Sequence, residues 1–211
     1  MLQPRYLSPD TATAALRRLK PSPEELTEFR QHLAEMLKHL DPTKIERHGE
    51  THILDFLRHV SKPAEGGARY GNVKDKRDLV LHLGDTADSP VGVVLEVKGL
   101  KNPKEMLAPD DLNRKALHQL LIYYLEDRTD DKADDFCSLI VTTGYEWYIF
   151  DALDFHRLFF KDKGFVKDFL TWKAGAKAAA DPQALEAQID ALVAALYGVA
   201  LPAAPVPAAA S

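Results

Sequence analysis

The sequence is short of cysteine and of long apolar runs, and its N-terminus lacks a secretory layout. Its single cysteine, Cys137, can form neither an internal disulfide nor a zinc site made of several thiolates. No apolar run approaches the roughly 20 residues that span a bilayer. The opening MLQPRYLSPD lacks the charged and then apolar order of a signal peptide. We therefore expect a cytoplasmic protein with no membrane partner.

Positive charge is not in excess, since 27 Lys and Arg face 32 Asp and Glu and the formal net charge is -5. A protein that coats nucleic acid by charge alone is excluded, so any contact with nucleic acid has to be local. One local group of basic residues lies in the middle of the chain: Lys74, Lys76, Arg77, Lys98, Lys101 and Lys104. Such a group would attract a phosphate backbone.

The first third of the chain predicts two helices. In KPSPEELTEFRQHLAEMLKHLDP, Ser22 is the N-cap, Pro23 takes the first helical position and Glu25 completes a capping box. The second helix is GETHILDFLRHV, with Glu50 at its start. The apolar residues of the first helix share one face that runs up to Pro42: Leu26, Phe29, Leu33, Leu37 and Leu40.

Strands and helices then alternate. We expect a short strand over residues 70–73 and two strands in the hairpin RDLVLHLGDTADSPVGVVLEVKG. A helix from Pro109 follows in PDDLNRKALHQLLIYYLEDR. Two more strands, FCSLIVTT and EWYIFDA, lie on either side of Gly144. Short helices follow in ALDFHRLFF and GFVKDFLTWKAG, and a last helix in DPQALEAQIDALVAALYG. The end VALPAAPVPAAAS is typical of a linker or tail. The order of elements indicates an α/β protein.

The hairpin places charge where a core hairpin should be apolar. If it folds about Ala87, opposite residues have numbers that sum to 174, and one face is wholly apolar. That face consists of Leu79 opposite Leu95, Leu81 opposite Val93 and Leu83 opposite Val91, while His82 faces Gly92 on the other. The second face also collects Asp78, Glu96 and Lys98 at one end of the hairpin.

Two carboxylates brought together in this way need compensation. Like charges about 4 Å apart repel by roughly 4 kcal/mol at an effective dielectric of 20. Lys98 supplies part of the compensation, and a Mg²⁺ ion bound by the carboxylates would supply the rest and suit phosphodiester hydrolysis. The alternative is ordinary, because charged residues often end strands and an Asp followed by Glu-x-Lys also occurs by chance.

The order of elements and these charged residues resemble the PD-(D/E)XK nuclease superfamily. The resemblance implies an αβββαβ core, as in restriction endonucleases, with a mixed central sheet flanked by helices and with N- and C-terminal helices added. Asp78 matches the motif aspartate, Glu96 to Lys98 match (D/E)XK, and Arg77 stands where the name-giving proline would be. It implies Asp78, Glu96 and the backbone carbonyl of Val97 as ligands of Mg²⁺, with Mn²⁺ as a substitute, and Lys98 as the catalytic lysine.

Three further residues enter through the same resemblance. Gln119 and Tyr123, four apart in the helix after the hairpin, match the QxxxY motif of exonuclease-type members, in which the pair helps to hold the nucleic acid and the catalytic elements. Glu50 matches an extra acid that some members use near the metal. The alternatives are a half-exposed helix face for Gln119 and Tyr123, and a helix-start carboxylate that complements the helix dipole for Glu50.

A closer resemblance covers roughly residues 44–170. The stretch LNRKALHQLLIYYLEDRTDDKADDFCSLIVTTGYEWYIFDALDF is similar to the N-terminal nuclease region of large single-chain type IIG or IIS restriction-modification enzymes. We expect an N-terminal helical extension (1–43), the nuclease core (44–172), and a C-terminal helix with a Pro/Ala-rich linker (173–211). The chain would then be an excised domain or a free-standing relative.

The resemblance implies a Mg²⁺-dependent DNA endonuclease that acts as the cleavage domain of a restriction system. Its partners would be double-stranded DNA and methyltransferase and target-recognition domains, in the same chain or an associated one. A transient dimer would serve double-strand cleavage. Two alternatives stay open: a catalytically inactive module of the same fold for nucleic-acid binding or assembly, and a standalone defence nuclease. Intact Asp78, Glu96 and Lys98 favour activity.

Overall fold

Residues 21–43, 46–61, 70–74, 77–130 and 136–176 are described by the structure, a computed structural model, with the backbone alone at positions 46, 74, 77, 78 and 176. The predicted C-terminal helix and Pro/Ala-rich end lie outside these ranges. The helices and strands are α1 (Pro23–His39), α2 (Glu46–Val60), β1 (Gly71–Lys74), β2 (Arg77–His82), β3 (Val91–Val97), α3 (Lys115–Asp130), β4 (Ser138–Thr142), β5 (Trp147–Asp151), α4 (Ala152–Phe155), a π-helical turn (His156–Phe160) and α5 (Lys163–Ala176).

The strands form a single mixed sheet in the order β1-β2-β3-β4-β5. Neighbouring strands are antiparallel except for β3 and β4, which are parallel. A parallel pair needs a long crossover connection, and α3 lies in the one between β3 and β4. The prediction of an α/β protein whose mixed sheet is flanked by helices is confirmed. Within the described ranges, no helix is long and apolar enough to cross a membrane.

The sheet separates two apolar cores because side chains alternate along β2 and β3. The core on the α2 side contains Met36, Leu40, Ile53, Leu54, Phe56, Leu57, Leu79, Leu81, Leu95 and Val97. The core on the α3 side is larger and includes Val80, Val94, Leu117, Leu120, Leu121, Leu125, Leu139 and Val141. Arg58 of α2 also donates to the carbonyl of Gly71 in β1, at 2.6 and 3.0 Å, which fixes α2 over that end of the sheet.

The predicted capping box of α1 is confirmed, but its apolar face is only partly buried. The Ser22 hydroxyl accepts from the backbone N–H of Glu25 at 3.2 Å, and the Glu25 carboxylate accepts from the backbone N–H of Ser22 at 2.7 Å. Leu26 and Phe29 stay 40% and 43% exposed, whereas Met36 is buried. The reason is that α1 packs on α2 and reaches the core only through its C-terminal half.

The predicted register of the hairpin is confirmed in its central part and wrong on the side of the turn. Leu79 pairs with Leu95, Val80 with Val94 and Leu81 with Val93. His82 then pairs with Val91 and not with Gly92, because the register shifts between Leu81 and His82. Leu83 leaves the ladder with its backbone N–H donating to the carbonyl of Pro90 at 2.8 Å, and its side chain lies over Gly92, in the space that a Cβ would need.

Two predicted helix starts are corrected. α3 begins at Lys115 and not at Pro109, because the preceding residues form a turn closed by an Ala108–Asp111 bridge. Asp111 holds that turn by accepting from the backbone N–H of Asn113 at 3.1 Å. α2 begins at Glu46, so Glu50 lies in its second turn and not at its start. The helix-dipole interpretation of Glu50 is therefore wrong.

The turn between β4 and β5 requires glycine at position 144. Gly144 has a φ of 86°, in the left-handed region. Its backbone N–H donates to the hydroxyl of Thr142 at 2.8 Å, and its carbonyl accepts from the indole N–H of Trp147 at 3.0 Å. A Cβ at this position would collide with the side chain of Leu40 and lie 3.5 Å from Ile53. The turn is thus packed against the end of α1 and against α2.

We predict that Gly144→Ala lowers the free energy of unfolding by about 1–3 kcal/mol, because it combines left-handed strain with the collision at Leu40. Urea denaturation followed by circular dichroism measures the change. The matched control is Gly175→Ala in α5, where an added Cβ meets nothing within 4 Å and stability should not fall. If Gly144→Ala were as stable as the parent, the turn would not depend on this contact.

Candidate active site

A buried ion pair lies where β3 ends. Lys98 Nζ is 2.6 Å from Glu96 Oε1, and the two side chains are 3% and 1% exposed. Taking one such ion out of water costs several kcal/mol, and only an excellent geometry with further hydrogen bonds offsets that cost. Both groups take part in additional interactions. Burial of a charged pair to this extent makes the end of β3 a candidate site.

The strand places this pair on the α3 side of the sheet. Val94 belongs to the α3-side core, and Glu96 follows it by two residues in the same strand, so the two side chains share a face. Val97 points the other way, into the α2-side core. The backbone N–H of Lys98 donates to the carbonyl of Thr142 in β4 at 2.8 Å. The pairing with β4 therefore continues past the end of β3 and holds Lys98 close to Glu96.

Asp78 belongs to the same face by register. The confirmed pair Leu79–Leu95 is one step away, and the same register sets position 78 of β2 opposite position 96 of β3. The predicted role concerns the carboxylate of Asp78, which lies outside the described side chains. The role of Asp78 as a ligand stays a prediction, supported by its place in the strand.

Gln119 and Tyr123 lie on the helix that covers this face. Both belong to α3, one turn apart, and Tyr123 is 8% exposed. Gln119 Oε1 is fully buried, and among the described residues it has no hydrogen-bond partner. An unsatisfied buried amide oxygen costs about 1–3 kcal/mol. The prediction that the two share a helix face is confirmed. An unsatisfied buried amide oxygen needs an explanation, and an absent ligand that donates to Gln119 Oε1 would be one.

A buried carboxylate on the same row of α3 was missed in the sequence. Asp127 follows Tyr123 by four residues and is 3% exposed, so Gln119, Tyr123 and Asp127 form one line along the helix. The signal was its spacing from Gln119 and Tyr123.

The predicted basic group is described only in part: Lys101 and Lys104 are exposed, while the side chains at 74, 76 and 77 lie outside the described ones.

Glu50 lies on the helix that covers the other face of the sheet. It precedes the buried residues Ile53 and Leu54 by three and four positions, so it shares the inward face of α2 and is half-buried. Its side chain takes part in an interaction. The role of Glu50 as an extra acid near the metal stays a prediction.

His82 contacts both the hairpin and the neighbouring strand β1. Its Nδ1 is 2.6 Å from the carbonyl oxygen of Ser89, so Nδ1 carries the proton and donates. Its Nε2 is 3.1 Å from the side-chain oxygen of Asn72 in β1, and turning that amide end over would bring its NH2 to donate to Nε2. The ring is 1% exposed and packs edge to face on Tyr70. These contacts make His82 a structural residue that closes the loop after β2.

The oxygen donors at this site suit a hard cation. Glu96 offers a carboxylate, Val97 a backbone carbonyl, and the register adds position 78. Among the residues with described side chains, no group of three His, Cys, Asp or Glu is arranged to hold a metal ion. Asp78 is not one of those residues. The donor atoms are therefore oxygens of the type that the predicted Mg²⁺ site requires.

No curated protein and no solved structure matches the chain. One family model does, and it covers residues 9–198, which include all of the described residues. The chain belongs to the family described as a domain of unknown function, DUF7149.

Proposed function

We propose that this chain is a Mg²⁺-dependent DNA endonuclease domain of the PD-(D/E)XK type, which cleaves phosphodiester bonds for a restriction system. The observation that carries the proposal is the Glu96–Lys98 pair, with Nζ and Oε1 2.6 Å apart and both side chains almost fully buried. A carboxylate and an ammonium at the end of a central strand are what hydrolysis of a phosphodiester needs: one to hold a cation, the other to offset negative charge.

The order of elements supports the proposal independently. The resemblance implies the order αβββαβ. The described chain follows that order with α2, the antiparallel strands β1, β2 and β3, the crossover helix α3 and the parallel strand β4. The proposed ligands would lie on β2 and β3, and the proposed positioning residues on α3. All of them would face the same side of the sheet.

Each side chain has a distinct task in this proposal. The carboxylates of Glu96 and Asp78 and the carbonyl of Val97 would hold the cation. When bound, the cation would lower the pKa of a water and offset charge on the phosphate. Lys98, held by Glu96, would donate hydrogen bonds to the attacking water or to the developing negative charge. Because the pair is already desolvated, these interactions would be stronger than in water.

The residues of α3 would position the substrate. The buried amide oxygen of Gln119 can accept a hydrogen bond that the described residues do not provide. Tyr123, one turn further along, is almost buried and would orient the same group. The exposed Lys101 and Lys104, close to Lys98 in the chain, would contact backbone phosphates on either side of the bond that is cut.

Sequence recognition would come from elsewhere. A net charge of -5 gives no long-range attraction to DNA, so binding rests on a few local lysines. Double-stranded DNA would be positioned by methyltransferase and target-recognition domains, in the same or an associated chain. A transient dimer would allow both strands to be cut.

The direct test is digestion of a mapped supercoiled plasmid by the purified chain. We predict nicking at low salt in Mg²⁺ or Mn²⁺ without sequence preference, lost in EDTA and weakened steeply by added salt because phosphate contacts dominate binding. Absence of nicking in both metals at low salt would contradict the proposed activity. Discrete fragments that report one short motif would contradict the assignment of recognition to another domain.

We predict that Glu96→Gln, Lys98→Met and Asp78→Ala each reduce nicking at least about 100-fold, because each removes a ligand or a charge that stabilises the transition state. Glu96→Gln and Lys98→Met should each destabilise the fold, since each leaves the other charge buried without its partner. The double variant should recover stability but not nicking. Recovery of both would show that the pair is structural only.

For Gln119→Leu we predict higher or unchanged stability together with about tenfold slower nicking. The leucine removes the unsatisfied amide oxygen, which favours the fold, whereas the loss of a positioning group slows the reaction by less than the loss of a ligand. Thermal denaturation and plasmid nicking measure the two effects. The control is Gln31→Leu on the exposed surface of α1, and equal nicking in both variants would remove Gln119 from the site.

A further inference from the structure

The helices α1 and α2 face each other through stacked histidine rings. The rings of His39 and His52 are stacked with centroids 4.6 Å apart, and His48 meets His52 edge to face at 4.7 Å. Further along, His32 stacks on His59 at 4.0 Å. Five of the eight histidines of the chain thus lie where these two helices face each other.

Three of these histidines, His39, His48 and His52, have the spacing of metal ligands. His48 and His52 are four residues apart in α2 and share a face, which is the arrangement of the two zinc-binding histidines in helical metalloprotease motifs. His39, the last residue of α1, brings a third imidazole to His52. Two imidazoles on one zinc ion, with Zn–N about 2.0–2.1 Å, hold their ring centroids roughly 5 Å apart, so separations of 4.6 and 4.7 Å place both neighbours within reach of His52. The rings have to turn before they can share an ion, because His39 and His52 stack at an interplanar angle of 10° and their in-plane lone pairs run parallel.

A carboxylate already orients one of the three rings. His39 Nε2 is 2.7 Å from Glu35 Oε1, one turn earlier in α1. In a neutral ring this contact puts the proton on Nε2 and leaves the Nδ1 lone pair for a metal, as in the carboxylate–histidine pairs that support metal ligands. All three rings are half-buried and thus reachable from solvent.

We propose that His39, His48 and His52 form a binding site for a divalent transition-metal ion of the imidazole-preferring kind, represented by Zn²⁺, which ties the end of α1 to α2. In their present orientations no three ligand side chains of the described residues converge on one point. The site forms when half-buried rings turn between rotamers, with the backbone in place. Imidazole nitrogens favour Zn²⁺, Ni²⁺ and Cu²⁺ over Mg²⁺, so this site is separate from the proposed nuclease site in place and in metal.

The second histidine pair provides the matched control. His32 and His59 also stack between the two helices, but His59 Nδ1 is engaged with the carbonyl of Asp55 at 2.6 Å. No third histidine ring of the described residues stacks on that pair. Removing His32 should therefore leave metal binding unchanged.

The test is isothermal titration of ZnCl₂ into the full chain, with Cys137→Ser as the background because that thiol is exposed. We expect one Zn²⁺ per chain, no competition from millimolar Mg²⁺, and a higher Tm in Zn²⁺. His48→Gln and His52→Gln should each weaken binding at least tenfold, Glu35→Gln less, and His32→Gln not at all. Absence of Zn²⁺ binding would overturn the proposal. So would binding that survives the double variant His48→Gln/His52→Gln, or an equal loss in His32→Gln.

Discussion

The sheet depends on the burial of β3. Hydrogen bonds join this strand to β2 on one side and to β4 on the other, and each of its faces is covered by one of the two apolar cores. A slip of one residue would exchange the two faces and turn Leu95 and Val94 into the wrong cores. The register is therefore fixed by packing from Val93 to Leu95, and it shifts only beside the turn, at His82. The same constraint decides that Glu96 faces α3, so the position of the charged pair at the end of the strand is set by the apolar residues that precede it.

A buried ion pair at the end of such a strand is expensive. Well-packed apolar side chains of similar volume often stabilise a fold as much or more. The unsatisfied amide of Gln119 adds to that cost on the same side of the sheet. Natural proteins accept local costs of this kind where function needs charge and polarity, and they compensate for them in the surrounding core. Here the compensation is the α3-side core, which is continuous from Val80 to the aromatic side chains of α4 and α5.

Local signals in the sequence predicted local structure well. The capping box depends on four consecutive residues, Ser22 to Glu25, and the alternation of β2 and β3 depends on a period of two, so both could be predicted from the sequence. The bulge at His82 and the late start of α3 were not, because each is decided by contacts between elements, such as Leu83 over Gly92 and the turn held by Asp111. For the site, the spacing of Glu96 and Lys98 predicted a shared face. The depth of their burial depends on α3 and β4, which no spacing within the hairpin encodes.

The parallel pairing of β3 with β4 also orders the assembly of the chain. β1, β2 and β3 are neighbours in both chain and sheet, so their pairing closes only short loops and can occur early. Val93, in contrast, pairs with Ser138 across the whole of α3, and contacts of such separation slow folding. During synthesis, β3 therefore has a free edge until α3 and β4 have left the ribosome. In that interval an apolar edge is open to pairing with other chains, so the rate at which α3 docks determines how long the nascent protein is prone to aggregate.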